Sequence, residues 1–181
     1  HAARVLATLA GGPAMLSRQP LVRIRLRLSI VTTNSLRYDC VISGASFAGL
    51  ALARGLMLAS GASLRVAVVD KSVAPPSPEA DTRAFAVWAA AKTILDGLGA
   101  WDAIAPVAQP IAAIEIGDSD RDDVMRPARV TYDAHTRDGV PAGYIVPAAA
   151  LHQALYQSVA GEAAITWVTP AEAEGLTLDA D

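Results

Sequence analysis

"YDCVISGASFAGLALARGL", residues 38–56, decides the fold. Its first six residues are a short apolar run of the kind buried as a strand. A glycine-bearing turn follows. Residues 47–60 are then apolar on nearly every side, through Leu50, Ala51, Leu52, Leu56, Met57 and Leu58. A helix without a polar face is covered on more than one side, as in an α/β fold. Gly61 suits its C-terminal stop. "LRVAVVD", residues 64–70, is a second buried strand rich in β-branched residues. Strand, crossover helix and strand fit within residues 38–70, the dimensions of a βαβ unit. Right-handed crossover makes the two strands parallel neighbours.

The turn itself, "GASFAG", puts Gly44, Ser46 and Gly49 on a G-x-G-x-x-G frame. Gly44 permits the tight exit from the strand, the second position lets backbone approach a pyrophosphate, and Gly49 lets helix and strand pack closely. The helix opening at Phe47 and Ala48 offers free N–H groups and the positive end of its dipole to phosphate. Serine at the second position adds a Cβ and a hydroxyl that can donate to a phosphate oxygen. The match is weakened, not broken. Asp70 ends the second strand 26 residues after Gly44. A carboxylate there can accept both hydroxyls of an adenosine ribose and would repel a 2′-phosphate. The plain alternative is a glycine-rich βα turn with Asp70 as a strand-end residue. The motif does not separate NAD from FAD.

Further along, "APPSPEAD", 74–81, is an exposed connector because of Pro75, Pro76 and Pro78. A helix is expected at about 83–97, ending near Gly97 and Gly99, then a short helical turn stopped by Pro106. Residues 110–119 and 128–133 read as antiparallel strands across an acidic loop with Asp118, Asp120, Asp122 and Asp123. That loop lacks the glycine and terminal glutamate of an EF-hand and reads as a solvated turn. Residues 147–161 form a helix opened by Pro147 and closed by Gly161, and 164–168 another strand. The chain ends at "GLTLDAD", inside or entering a further strand.

At 181 residues and 52% hydrophobic composition, one domain with a real core is expected. The one cysteine, Cys40, excludes an internal disulfide and multi-cysteine metal sites, and fits a reducing compartment such as the cytoplasm. His135 and His152 have no second ligand at useful spacing, so no metal is expected. No G-x-S-x-G elbow supplies an acyl-transfer nucleophile. Trp88, Trp101 and Trp167 read as packing residues. No window reaches the roughly 18 apolar residues of a membrane span.

The net charge of −3 hides an asymmetry. Residues 1–38 hold six arginines and no acid, which leaves nine basic and 18 acidic residues beyond them. The acidic body argues against nucleic acid as partner. The leader, residues 1–35, has three readings. It is a transit-type segment with a mitochondrial address; or a basic edge strand, with Arg23, Arg25 and Arg27 on one face of Leu21–Ile30; or no part of the natural product, with Val31 a start codon read as valine. The last is favoured, so residues 1–35 are expected to stand outside the fold and 36–181 to carry it.

At residues 81–111 the sequence resembles the FAD-dependent hydroxylases of ubiquinone biosynthesis, aromatic-ring monooxygenases related to p-hydroxybenzoate hydroxylase. The resemblance rests on Asp81, Arg83 and Ala84, on Leu98, Gly99 and Trp101, and on Ala108, Pro110 and Ile111. "GYIVPAAALHQALYQ", 143–157, is similar to the family's next helix, but Pro147 and Ala148 stand where the family usually has an acidic or amide pair. The resemblance covers about residues 36–181.

It implies a Rossmann-like FAD-binding βαβ with a parallel sheet, plus the start of an antiparallel substrate-side sheet. Gly44, Ser46, Phe47, Ala48 and Gly49 would hold the FAD diphosphate, Asp70 the ribose with Lys71 beside it, and Arg83 would reach the diphosphate or flavin side. NAD(P)H would be the reductant. The substrate would be a small aromatic molecule, a polyprenylated phenol or quinol, met at a membrane surface. Family members are more than twice this long. The 181 residues are therefore expected to hold FAD weakly or not at all and to lack hydroxylase activity. A NAD-dependent dehydrogenase, another FAD-dependent oxidoreductase and a non-catalytic dinucleotide-binding module remain the alternatives.

Overall fold

The computed structural model describes residues 3–7, 21–28, 37–72, 81–117 and 128–179. They divide into two units, His1–Ala80 with His152–Asp181, and Asp81–Leu151. The acidic loop at 118–127, most of the proline-rich connector and the Val31 region lie outside the described residues.

The first unit is built on a parallel sheet. Strand β4 (Cys40–Ser43) runs into the glycine turn, helix α1 (Phe47–Ser60) follows, and β5 (Val66–Val69) returns parallel to β4. The register pairs Cys40 with Val66 and Ser43 with Val69. On the other side of β5 lies β11 (Ile165–Val168), also parallel, giving the order β11-β5-β4. All four residues of β5 are buried, as a strand covered on both faces requires. Ile42 lies 3.3 Å from where a Gly49 Cβ would stand, so Ile42 and its register partner Val68 face α1. Ala67 and Val69 alternate to the opposite face, where they pack with Tyr38 and Ala171. Leu50, Ala53 and Met57 supply the buried side of α1. Its end is the expected one, with Gly61 left-handed at φ 58° and its N–H bonded to the Met57 carbonyl.

A second sheet in this unit has the order β12-β2-β1-β3, from β12 (Ala171–Asp179), β2 (Leu21–Leu28), β1 (Ala3–Ala7) and β3 (Arg37–Tyr38). Two stretches of the basic leader thus take part in a sheet. β2 is an internal strand rather than the edge strand its alternation suggested, antiparallel to both β1 and β12. A bulge interrupts the β12 ladder between Ala173 and Gly175.

The second unit corrects one expectation. Residues 84–88 are not helix. They form β6 (Ala84–Trp88), and α2 (Ala89–Gly97) begins only after it. β6 lies antiparallel against β10 (Gly143–Pro147), with Val87 opposite Tyr144 and Trp88 opposite Gly143. Alanine-rich sequence favours helix locally, but the ladder and the burial of Val87 decide otherwise. The short strand β7 (Gln109–Pro110) completes the order β6-β10-β7. Helix α3 (Trp101–Ile104) passes into a 3-10 turn at Ala105–Val107 that contains Pro106. Strands β8 (Ala113–Gly117) and β9 (Ala128–Asp133) pair antiparallel as expected. Helix α4 (Ala148–Ala160) opens directly after Pro147, which is the last residue of β10. The core here gathers Val87, Leu95, Leu98, Trp101, Ile104 and Val146, with the Tyr144 ring edge-on to Trp101 at 5.1 Å.

Candidate functional site

The site is the turn at the carboxyl end of β4. Gly44 leaves the strand at φ 107°, a conformation that disfavours any residue with a Cβ, and its N–H donates to the Val69 carbonyl at 2.7 Å. Gly49 is required for a different reason. A Cβ there would lie 1.9 Å from the Gly44 carbonyl oxygen. The first turn of α1 therefore rests directly on the backbone of the turn that precedes it, as the motif's third glycine demands.

Ser46 is the residue before the helix, extended at φ −83° and ψ −177°, and its hydroxyl makes no capping bond. Its carbonyl accepts the Leu50 N–H at 2.9 Å, the first bond of the helical ladder. The amides of Ala48 and Gly49 come before that bond and have no acceptor from the α-helical ladder. No acidic residue of α1 sits in its first turn to oppose an anion.

Asp70 points at this turn. Its Oδ2 accepts the Ala45 N–H at 2.7 Å and its Oδ1 accepts the Ser72 N–H at 2.7 Å. Each oxygen keeps acceptor capacity, so two hydroxyls of a ligand can still be bound. Lys71 is exposed, and its Nζ is paired to Glu172 at 2.6 Å; that hydrogen bond raises the lysine above its ordinary range.

Arg83 belongs to the second unit. Its Nε and Nη2 donate to the two oxygens of Asp81 at 2.8 and 2.7 Å, and the guanidinium lies 5.5 Å from the centre of the Phe85 ring. The Asp81 hydrogen bonds raise its pKa further. Ala148 is fully buried and donates its N–H to the Arg83 carbonyl, so the departure at Pro147 and Ala148 leaves those positions without a polar side chain.

The residue that sequence reasoning missed is His152. Its Nε2 lies 2.8 Å from the Ala45 carbonyl oxygen, and its ring meets Phe47 edge-on at 5.8 Å. Nothing in the local sequence signals a contact between residues 107 apart. His135 instead pairs with Asp133. Among the described residues no group of His, Cys, Asp and Glu is placed to hold a metal. Burial raises the Cys40 thiol above its ordinary range, which favours its protonated form. No helix among the described residues is long and apolar enough to cross a membrane.

No family model matches the chain. Solved structures do. PqsL from Pseudomonas aeruginosa, described as a probable FAD-dependent monooxygenase, superimposes with a TM-score of 0.55 at 18% identity over 72% of this chain and 32% of its own. p-Nitrophenol 4-monooxygenase PnpA from Pseudomonas putida DLL-E4 gives 0.52 at 17% identity, over 71% and 30%. A Y270A mutant of 2-methyl-3-hydroxypyridine-5-carboxylic acid oxygenase gives 0.51 at 22% identity, over 71% and 30%. The chain thus spans about a third of the length of these proteins. At such identities the likeness is one of fold. The βαβ unit and the antiparallel strands after it share the architecture of part of these oxygenases.

Proposed function

We propose that the first unit binds the adenosine diphosphate half of FAD and that the protein is an FAD-dependent monooxygenase of an aromatic ring. The observation that carries this is the seating of Gly49 on the Gly44 carbonyl, with Asp70 at the end of the neighbouring strand. The chain's own residues fit the group. Gly44 gives the turn its tight exit, and Gly49 lets the helix start rest on the Gly44 carbonyl. The amides of Ser46, Phe47, Ala48 and Gly49, at the positive end of the helix, would hold the diphosphate. Asp70 would accept the ribose hydroxyls while keeping the Ala45 amide in place. Lys71 lies beside it but is committed to Glu172.

FAD, when bound, would supply the redox chemistry, with NAD(P)H as the proposed reductant. The protein's part is to orient the ring to be hydroxylated and to exclude water. Support for the substrate class comes from the resemblance at residues 81–111 and 143–157, and from the ring-directed names of two similar proteins. The substrate we propose is a polyprenylated phenol or quinol, met at the membrane surface. Arg83 lies in the second unit and keeps guanidinium donors other than the Nε–H and Nη2–H bonded to Asp81.

The test is the full-length protein. Flavin absorbance after purification, together with NAD(P)H oxidation that rises on adding a prenylated phenol, is the expected result. Retention of NAD without flavin would turn the assignment to a dehydrogenase. A bound flavin with no oxidation driven by any phenol would leave an oxidoreductase of another class.

A further inference from the structure

The Ala45 peptide is held from two directions. Its N–H donates to Asp70 Oδ2 at 2.7 Å, and its carbonyl oxygen lies 2.8 Å from His152 Nε2. A carbonyl oxygen only accepts, so Nε2 carries the proton and donates. That holds in the neutral Nε2–H tautomer and in the imidazolium alike. His152 comes from α4, whose Leu151, Ala154, Leu155 and Val159 are buried, so the donor stands on an anchored element. Its ring is steadied by the edge-on contact with Phe47.

The consequence lies one peptide plane away. In a trans peptide the C=O and the next N–H point in opposite directions. With the Ala45 carbonyl drawn toward His152, the Ser46 N–H is turned away from α4. That amide has no acceptor among the described residues, and Ser46 is exposed. Gly44 fixes the other end of the turn through its bond to Val69. The Ser46 N–H is thus aimed outward at the helix start.

We propose that His152 is a positioning residue. By holding the Ala45 carbonyl it fixes the peptide whose other side presents the Ser46 N–H to a diphosphate. The proposal rests on the dinucleotide reading for the identity of the ligand, but not for the order of the turn. Ser46 itself sits at φ −83°, which any residue adopts, so its backbone angle does not require a glycine there.

The test compares His152→Leu, which keeps bulk and removes the donor, with His152→Gln, whose amide N–H reaches a similar distance. Two readouts are taken on the full-length protein. The first is calorimetric binding of FAD and of ADP. The second is amide hydrogen exchange across residues 44–49 without ligand. His152→Leu should weaken both ligands roughly fivefold to tenfold, the worth of one net hydrogen bond, and speed exchange in the turn but not along α4. His152→Gln should restore both to within about twofold of wild type. A His152→Leu protein that binds and exchanges like wild type overturns the proposal. So does a His152→Gln protein as impaired as His152→Leu, which would make the histidine a packing residue. A wild type that binds neither FAD nor ADP overturns the dinucleotide reading and the ligand half of the proposal. Faster exchange confined to the turn in His152→Leu would then still assign the histidine its positioning role.

Discussion

Gly49 in the first unit and Gly143 in the second both stand where a methyl group would collide, but the obstacles differ in kind. At Gly49 the obstacle is backbone, the Gly44 carbonyl at 1.9 Å. At Gly143 it is the rim of an exposed indole, with Trp88 Cε3 at 2.6 Å and Cζ3 at 3.0 Å. A carbonyl tied into a turn cannot retreat without taking the turn with it, whereas a surface side chain can rotate aside. The contrast separates a place where the chain is built to one shape from a place where it is merely well packed.

Gly49→Ala should therefore have the largest effect. The helix must lift off the turn, and we expect a loss of about 3 kcal/mol or more, together with loss of dinucleotide binding, read by urea unfolding and calorimetry. Wild-type stability in this variant would mean that the close approach is not a constraint. Asp70→Ala comes next. It strips acceptors from the Ala45 and Ser72 amides and removes the carboxylate that would meet the ribose. Binding of FAD or ADP should weaken by about 10- to 100-fold, as for hydrogen bonds to a charged group, with Asp70→Asn falling between. Gly143→Ala should cost only about 1 kcal/mol and change the Trp88 fluorescence environment, leaving dinucleotide binding untouched. A loss as large as that at Gly49 would erase the distinction between the two glycines.

The smallest effect belongs to Lys71 and Glu172. The Glu172 hydrogen bond raises the folded-state lysine pKa above its ordinary 10.5. A raised pKa stabilises the fold below the unfolded value, and the contribution fades as pH climbs through the folded one. The Tm difference between wild type and Glu172→Gln should thus be small at neutral pH and vanish in strongly alkaline solution. A difference that grows with alkalinity would reverse the sign and contradict the pairing.

The same contrast governs what could be read in advance. The β4–turn–α1–β5 segment was legible because its information is local. Gly44, Gly49 and Gly61 each mark a backbone demand within a few residues of the element they end or open, and the run Val66–Val69 admits only a buried strand. Ala84–Trp88 leads straight into Ala89, Ala90 and Ala91 and reads as the start of one helix with them. Its strand state is dictated by β10, more than fifty residues later. The contact of His152 with Ala45 depends on where α4 and the turn meet, which neither sequence shows alone. The sequence puts Asp70 at the end of its strand, but its bond to the Ala45 amide is not visible there. Pattern supplies the acid and its strand, while the backbone donor it meets is fixed by the turn's path.

The most direct test of the account is a crystal structure of the protein soaked or grown with FAD. The account places the diphosphate against the amides of Ser46 to Gly49 and a ribose hydroxyl on Asp70, with the Ala45 carbonyl still on His152. A dinucleotide bound elsewhere, or a turn whose amides close on protein acceptors while Asp70 turns from the sugar, would contradict it.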